Sequence, residues 1–297
     1  MKTNKIVISA LLLGAVIFTF NACGSDDDND LPPIGGFNNA GEVGAADRVG
    51  YWPLNGNGNE DQSNTAPNGS SGVTWAAGIK GQGASLNNGF LKYPSIAAMA
   101  TGMTNFSVSA WFKVANNGDG TSSPSVFFSL ARPAEWAGNI NFMAETGWQP
   151  AASDSLTVKG LLVSNNALGF QDSRNTVKST PEDITNGHIP FPNKVGGQWA
   201  HGVITWDNET RMFKVYVNGT KISNPVWELR GADDSPDFAL STGAFPVLGA
   251  FGTFADGTTT DVWNRGMTGQ LDEVRVWKRA LTQAEIGSLY QLELAGR

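Results

Sequence analysis

The chain has 297 residues, with 20 Lys and Arg against 27 Asp and Glu, a net charge of -7. It has one cysteine and two histidines, which excludes a disulfide framework and leaves little material for a zinc site or a histidine-based catalytic machine. Its acidic balance argues against a nucleic-acid or anionic-membrane partner, since either needs a basic face. With 16% charged residues, 36 Gly and 10 Trp, the composition is that of an all-β protein rich in turns and aromatics.

Lys2 and Lys5 precede an apolar run from Ile6 to Phe20, the length of a secretory h-region and short for a membrane span. It ends in Phe20-Asn21-Ala22-Cys23, which resembles a bacterial lipoprotein signal with Cys23 as the acylated residue. Residues 1–22 are therefore expected to be removed. Without Lys2 and Lys5 the balance becomes 18 basic against 27 acidic, a net charge of -9. The only membrane contact expected is through the lipid, each buried methylene of which contributes about 0.8 kcal/mol.

Gly24-Ser25-Asp26-Asp27-Asp28-Asn29-Asp30 follows, then Leu31-Pro32-Pro33 and a Gly- and Asn-rich stretch, so residues 23–48 are expected to form a solvated tether. The serine followed by acidic residues resembles the surface-export signal of Bacteroidetes-type lipoproteins. That resemblance implies a lipid-anchored protein on the outer membrane, facing the cell exterior.

From Val49 onward short apolar segments alternate with period two between Gly, Asn and Pro. Phe106, Val108, Ala110, Phe112 and Val114 predict a strand that buries its even positions. Further strands are predicted over Val126 to Leu130, Thr157 to Ser164, Trp199 to Trp206, Met212 to Val217 and Leu271 to Trp277. Asp207-Asn208-Glu209-Thr210 joins two of them as a hairpin. Near the end, Thr282-Gln283-Ala284-Glu285 reads as a capping box, and Ile286, Leu289 and Tyr290 give the following helix one apolar face. Sequential antiparallel strands over residues 49–297 require two layers that cover each other's apolar faces, hence a β-sandwich.

Particular residues are more specific. Tyr51-Trp52-Pro53-Leu54-Asn55 with Asp61-Gln62-Ser63, Gly81-Gln82-Gly83-Ala84-Ser85-Leu86, Phe106 through Phe112, Trp199-Ala200-His201-Gly202-Val203 and Val215-Tyr216-Val217-Asn218-Gly219 stand in order. Gly269-Gln270-Leu271-Asp272-Glu273-Val274-Arg275-Val276-Trp277-Lys278-Arg279-Ala280-Leu281-Thr282 closes the series. Together they resemble the successive signatures of laminin-G-like domains. The resemblance implies a concanavalin A-like jelly roll with a short C-terminal helix over residues 49–297, and it leaves the stretch 115–198 unmatched. It also implies one structural Ca2+, held by Asp61 and Asp272 with Asn64 and nearby carbonyls.

Members of such a fold include lectins, adhesion modules and glycosidases, so function has to come from sites. The glucanases with this fold carry Glu-x-Asp-x-x-Glu or a close variant on one strand, and no such run is present. Asp272 and Glu273 are adjacent, which on a strand sends them to opposite faces. Glu145 and Asp154 are left as carboxylates that would need distant partners. A Ser-His-Asp set would have to use His188 or His201.

Among the tryptophans, Trp52, Trp111, Trp199, Trp206 and Trp277 belong to matched strands and are expected to pack. Trp136, Trp148, Trp227 and Trp263 fall in polar, Gly-rich loops, where an indole packs beneath the loop or meets a ligand. Asp261, Asn264 and Arg265 beside Trp263 offer hydrogen-bonding groups of the kind sugar hydroxyls need. The expected ligand-binding set is Trp263, Asp261, Asn264, Arg265, Trp136 and Trp148, with no catalytic residue. The expected function is capture of polysaccharide or oligosaccharide at the cell surface for outer-membrane uptake proteins. An adhesion or assembly module that binds protein, and a glycoside hydrolase, are the alternatives.

Overall fold

The computed structural model describes residues 31–118, 123–177, 185, 187 and 191–297. Cys23 and His188 lie outside the described residues. Thirteen strands form one hydrogen-bonded antiparallel sheet. They are β1 (Arg48–Trp52), β2 (Gly69–Ala77), β3 (Gln82–Lys92), β4 (Phe106–Lys113), β5 (Ser125–Ala131), β6 (Ile140–Ala144), β7 (Val158–Val163), β8 (Phe170–Arg174), β9 (Trp199–Asp207), β10 (Met212–Val217), β11 (Thr220–Lys221), β12 (Phe245–Leu248) and β13 (Met267–Trp277). Among the described residues, α-helices run over α1 (Ala97–Ala100), α2 (Gly252–Ala255) and α3 (Gln283–Leu294).

The spatial order is β11-β10-β9-β4-β13-β3-β12-β5-β6-β7-β8, with β1 on β13 and β2 on β3. The sheet curls until β10 touches β7 and β8, and β4 touches β5, which makes the two layers of a jelly roll. Between the layers lie Trp52, Phe106, Phe112, Phe127, Phe128, Phe142, Trp206 and Phe213, all buried. Phe112 stacks on Phe127 at 4.2 Å between centroids, and Phe142 meets Phe127 edge-on at 5.0 Å. Gly202 of β9 gives these rings room: a Cβ there would stand 2.6 Å from the Phe142 ring and 2.8 Å from that of Phe112. The stretch 115–198 supplies β5 to β8.

Two expectations change. The even positions of β4 enter the main core as expected, but Ser107, Ser109 and Trp111 are buried as well. The Trp111 indole nitrogen donates to Glu293 of α3 at 2.8 Å, and Ser107 Oγ accepts from the amide of Leu281, just before α3, at 2.8 Å. Residues 31–47, expected as tether, pack as part of the domain. Ile34, Phe37, Ala40 and Val43 join Trp277, Leu281, Ile286, Leu289 and Leu292 in a second apolar cluster. The Trp277 indole donates to the Val43 carbonyl at 3.1 Å, and Arg279 binds Asp47 at 3.0 Å.

The capping box forms as read from the sequence. The Thr282 hydroxyl accepts from the Glu285 amide at 3.3 Å, and the Glu285 carboxylate accepts from the Thr282 amide at 2.9 Å. The Arg279 guanidinium on the same carboxylate, helped by Thr282, holds Glu285 down at about 2.

Candidate functional site

β6 and β7 alternate in and out: Phe142 and Leu162 enter the main core, while Met143, Leu161 and Val163 lie on the opposite face. There they form a small separate cluster with Val126, Ala137 and Phe251, against which Trp263 packs. Register orders the rest of this face. Val163 pairs with Phe170, Leu161 with Asp172, and Lys159 with Arg174, so it runs from aromatic at one end to charged at the other.

Two connections and one strand complete the aromatic end. The β12–β13 connection lays Phe251 and Trp263 over the sheet, the β5–β6 loop brings Trp136, and β8 begins with Phe170. Trp136 meets Phe251 and Trp263 edge-to-face, each at 5.4 Å and 88°. Phe251 and Trp263 are 6.1 Å apart at 77°, and Phe170 lies 6.3 Å from Trp136 at 29°. Such pairs contribute about 0.5–1.5 kcal/mol each beyond burial, so the rings brace one another. Phe251 is buried and Trp263 half-buried, while Trp136 is 37% and Phe170 57% exposed. The result is a braced aromatic surface open to solvent.

The residues around Trp263 divide. Asp261 is exposed at the start of a turn, its carbonyl accepting from the Asn264 amide at 3.1 Å. Asn264 is buried, and its side-chain amide donates to Thr253 Oγ1 at 2.8 Å, so it fixes the loop from beneath. Arg265 is exposed, its Nε donating to the Val262 carbonyl at 2.6 Å. Asn88, at φ +48, then accepts from the Gly266 amide at 3.0 Å. A side chain at Gly266 is impossible without rearrangement, because its Cβ would lie 2.4 Å from the Asn88 carbonyl carbon.

Trp148 sits at the charged end, apart from Trp136 and Trp263. It is 42% exposed and lies under the Arg174 guanidinium at 4.6 Å, and the same guanidinium covers Trp227 at 4.1 Å. Glu145 does find a second carboxylate here, Asp172, but Lys159 Nζ stands 3.2 Å from the one and 3.6 Å from the other. The one ammonium thus pairs with both carboxylates. Asp154 is exposed and pairs with Lys194 at 2.7 Å.

Of the three residues implied for calcium, one is buried and two are exposed. Asp272 is fully buried, and its carboxylate accepts from the amides of Ile79 at 2.7 Å, Lys80 at 3.1 Å and Glu273 at 2.9 Å. Those positive amide hydrogens occupy the directions a cation would take. Asp61 and Asn64 are exposed, and among the described residues no group of three or more His, Cys, Asp or Glu side chains comes together. The arrangement therefore does not fit calcium as placed. In its stead Glu60, buried beside Asp61, organises the turn by accepting from the amides of Tyr51, Gln62 and Ser63.

Asp272 and Glu273 diverge through a bulge, with Glu273 at φ +50. Glu273 binds the Tyr51 hydroxyl at 3.0 Å and Arg275 at 2.6 Å. Arg275 also pairs with Glu293, beside His201 at 3.4 Å from that carboxylate. Burial, with Arg275 adding to it, drives the His201 imidazole down to about 3, so it stays neutral in a closed structural network under α3.

Sequence reasoning missed Phe170 and Phe251. Phe251 carries no local signal, standing among small residues. Phe170, followed by Gln171 and Asp172, would have signalled an outward-facing aromatic had the β8 register been readable.

Residues 85–287 match the family model for the concanavalin A-like lectin/glucanases superfamily. No curated protein sequence matches the chain. Domain 4 of AbnA, an extracellular arabinanase from Geobacillus stearothermophilus, solved in complex with arabinotriose, superposes with a TM-score of 0.51 at 20% identity, covering 82% of this chain and 98% of that one. The botulinum neurotoxin serotype G binding domain gives 0.54 at 14% identity over 82% of this chain and 51% of its own. A Trypanosoma rangeli sialidase gives 0.50 at 14% over 84% and 33%. The chain thus spans about half of the toxin domain and a third of the sialidase; at these identities the likeness is one of fold.

Proposed function

Because the chain belongs to the concanavalin A-like lectin/glucanases superfamily, we propose that it is a non-catalytic carbohydrate-binding protein of the cell surface, anchored through Cys23 and holding polysaccharide for outer-membrane uptake proteins. One observation carries the binding part: Trp136, Trp263 and Phe170 present a braced, solvent-open aromatic surface beside Arg265 and Asp261. A pyranose or furanose offers an apolar C–H face to such rings while its hydroxyls reach polar neighbours. Mutual packing keeps the indoles from losing much rotamer freedom on binding. The non-catalytic part is supported by Lys159, which pairs with both Glu145 and Asp172. Arabinotriose, held by the Geobacillus domain, is the first ligand to try.

The test is affinity electrophoresis of the folded chain through gels containing plant, host or microbial polysaccharides. Wild type should be retarded by at least one of them. Trp136→Ala or Trp263→Ala should weaken retention by about 1–3 kcal/mol, on the scale of other aromatic stacking. Equal retardation of both variants would remove the cluster from the site. Absence of retardation on every glycan would favour the protein-binding alternative, which Val262 at 66% and Phe170 at 57% exposure would serve as apolar contacts.

A further inference from the structure

A pocket of about 390 Å³ opens where residues 38–41 meet β1, the β2–β3 turn, β13 and the chain beyond α3. Arg48 and Tyr51 line it from β1, Lys80 from the turn and Arg275 from β13, and Asn38 and Arg297 complete it. Four of the 20 Lys and Arg residues of an acidic chain thus share one pocket. It stands apart from the aromatic surface. Trp263 precedes β13, which starts at Met267, and Arg275 lies eight residues further along that strand, about 26 Å away.

The four cations are not equally engaged. Arg275 is buried and balanced by Glu273 and Glu293. The Arg297 guanidinium is held by carbonyls alone, those of Asn38 at 3.0 Å, Pro32 at 3.1 Å and Leu31 at 3.4 Å, and its main-chain oxygen accepts from the Ala40 amide at 3.2 Å. Arg48 is half-buried. Its Nη1 donates to the Gly41 carbonyl at 3.1 Å and its Nε is enclosed, whereas Nη2 has no partner among the described residues and is not enclosed. Lys80 is exposed, and only its main-chain amide is used, by Asp272. Among the described residues, none of Arg48, Lys80 and Arg297 makes an ion pair. Glu42, beside the pocket, already accepts from the Asn38 amide at 2.7 Å and the Asn39 side chain at 3.1 Å. Arg48 and Arg275 lie over the same Tyr51 ring, 5.5 and 4.3 Å from its centroid. Burial, with the Arg275 charge beside it, lowers the Arg48 guanidinium from its ordinary value. Like charges held so close are relieved by an anion.

We infer that this pocket binds the phosphate group of a phosphorylated ligand, with Arg48 Nη2 and the Lys80 ammonium as its contacts and Arg297 adding its charge. Three cations without a carboxylate partner suit a group that carries about two negative charges and several acceptor oxygens. A carboxylate offers one charge and two oxygens. At about 390 Å³ the pocket also has room for the glycerol or sugar that bears the phosphate. Two sources share that chemistry, a soluble phosphate ester and the headgroup of an acidic lipid. The lipid is worth testing because Leu31 and Pro32, which Arg297 holds, stand on the Cys23 side of the sequence. The inference does not depend on the aromatic surface or on sugar binding there.

The experiment is calorimetric titration of the full chain as Cys23→Ser, so that no lipid holds it to a membrane, with inorganic phosphate, glycerol phosphate, glucose phosphate, acetate and glucose. Phosphate and its esters should bind, and acetate and glucose should bind more weakly or not at all. On that background Arg48→Gln and Lys80→Gln should each weaken phosphate binding about 5- to 20-fold, the scale of one exposed hydrogen bond to a charged group, and added salt should weaken it further. Lys80→Gln keeps the test decisive if Arg48→Gln fails to fold, because the exposed Lys80 ammonium has no partner among the described residues to lose. Co-sedimentation with phosphatidylcholine vesicles, with and without phosphatidic acid, distinguishes the sources. Retention on the acidic vesicles alone, lost in Lys80→Gln, assigns the lipid headgroup; binding of the soluble esters without such retention assigns a soluble ligand. The inference is overturned if no phosphate compound binds in either arm, if acetate binds as phosphate does, or if Lys80→Gln and a folded Arg48→Gln bind as the parent chain does.

Discussion

Asp272 is fully enclosed on β13, and its ionisation is contested by two opposed influences. Burial, with the neighbouring Glu273 charge, pushes its carboxyl up, while the amides of Lys80, Ile79 and Glu273 pull it down; burial prevails and the group sits at about 7. A carboxyl whose folded value lies above the unfolded 3.8 holds more protons in the folded state between those limits. Its contribution is therefore fully present at about pH 4 and is lost as pH rises toward 7. Asp272→Asn keeps an acceptor for the clamp and removes the titration, so its unfolding free energy should be flatter than wild type across pH 4–7. Parallel profiles for the two proteins would refute this account of Asp272. The same residue shows the limit of reading a site from the chain. Its position matches a metal-ligand pattern, but the chain does not show that the Gly78–Lys80 turn folds back to offer it two amides.

At the scale of elements, the signals that survived are those carried by a few neighbouring residues. The capping box at Thr282 and the hairpin between β9 and β10 are local and were legible. Burial of both faces of β4 was not, because it depends on the C-terminal segment, far along the chain, where Leu281 meets Ser107 and Glu293 of α3 meets Trp111. Residues 31–47 were hidden for a related reason: Gly, Asn and Ala dominate them, and the four apolar side chains that dock recur every third residue, which is the period of neither a strand nor an α-helix. Two of those four, Ala40 and Val43, are buried, and Ile34 and Phe37 are partly so. A chain beginning at residue 48 should lose about 3–6 kcal/mol, an upper figure from burial of that many side chains. An unchanged urea midpoint with the same slope would show that this segment does not belong to the folded unit.

For the molecule as a whole, the jelly roll was legible through family signatures on β1, β3, β4, β9, β10 and β13, and the candidate site only in part. Trp136 and Trp263 were picked out as loop indoles, and the fold brings them to 5.4 Å. Trp148 went to the charged end with Arg174, and Asn264 beneath the loop, since neither destination follows from nearness in sequence. The strands that carry the site, β5 to β8, come from a stretch in which no family signature was legible by eye, although the family match over residues 85–287 spans it, so their register and the outward position of Phe170 came from the fold. The anchor belongs to this scale too. Residues 31–47 pack against α3, so the solvated tether expected over 23–48 does not extend through them. Cys23→Ser should move the protein from the membrane to the soluble fraction without altering its melting temperature. Continued sedimentation with outer membrane would contradict the lipid anchor.

The most direct test of the central claim is a crystal structure of the chain with the polysaccharide fragment that it retards most strongly. The expected result is a sugar ring stacked on Trp136 or Trp263 within ordinary van der Waals contact, its hydroxyls directed toward Arg265 and Asp261. A fragment bound elsewhere, with the cluster of Trp136, Trp263 and Phe170 left bare, would contradict it.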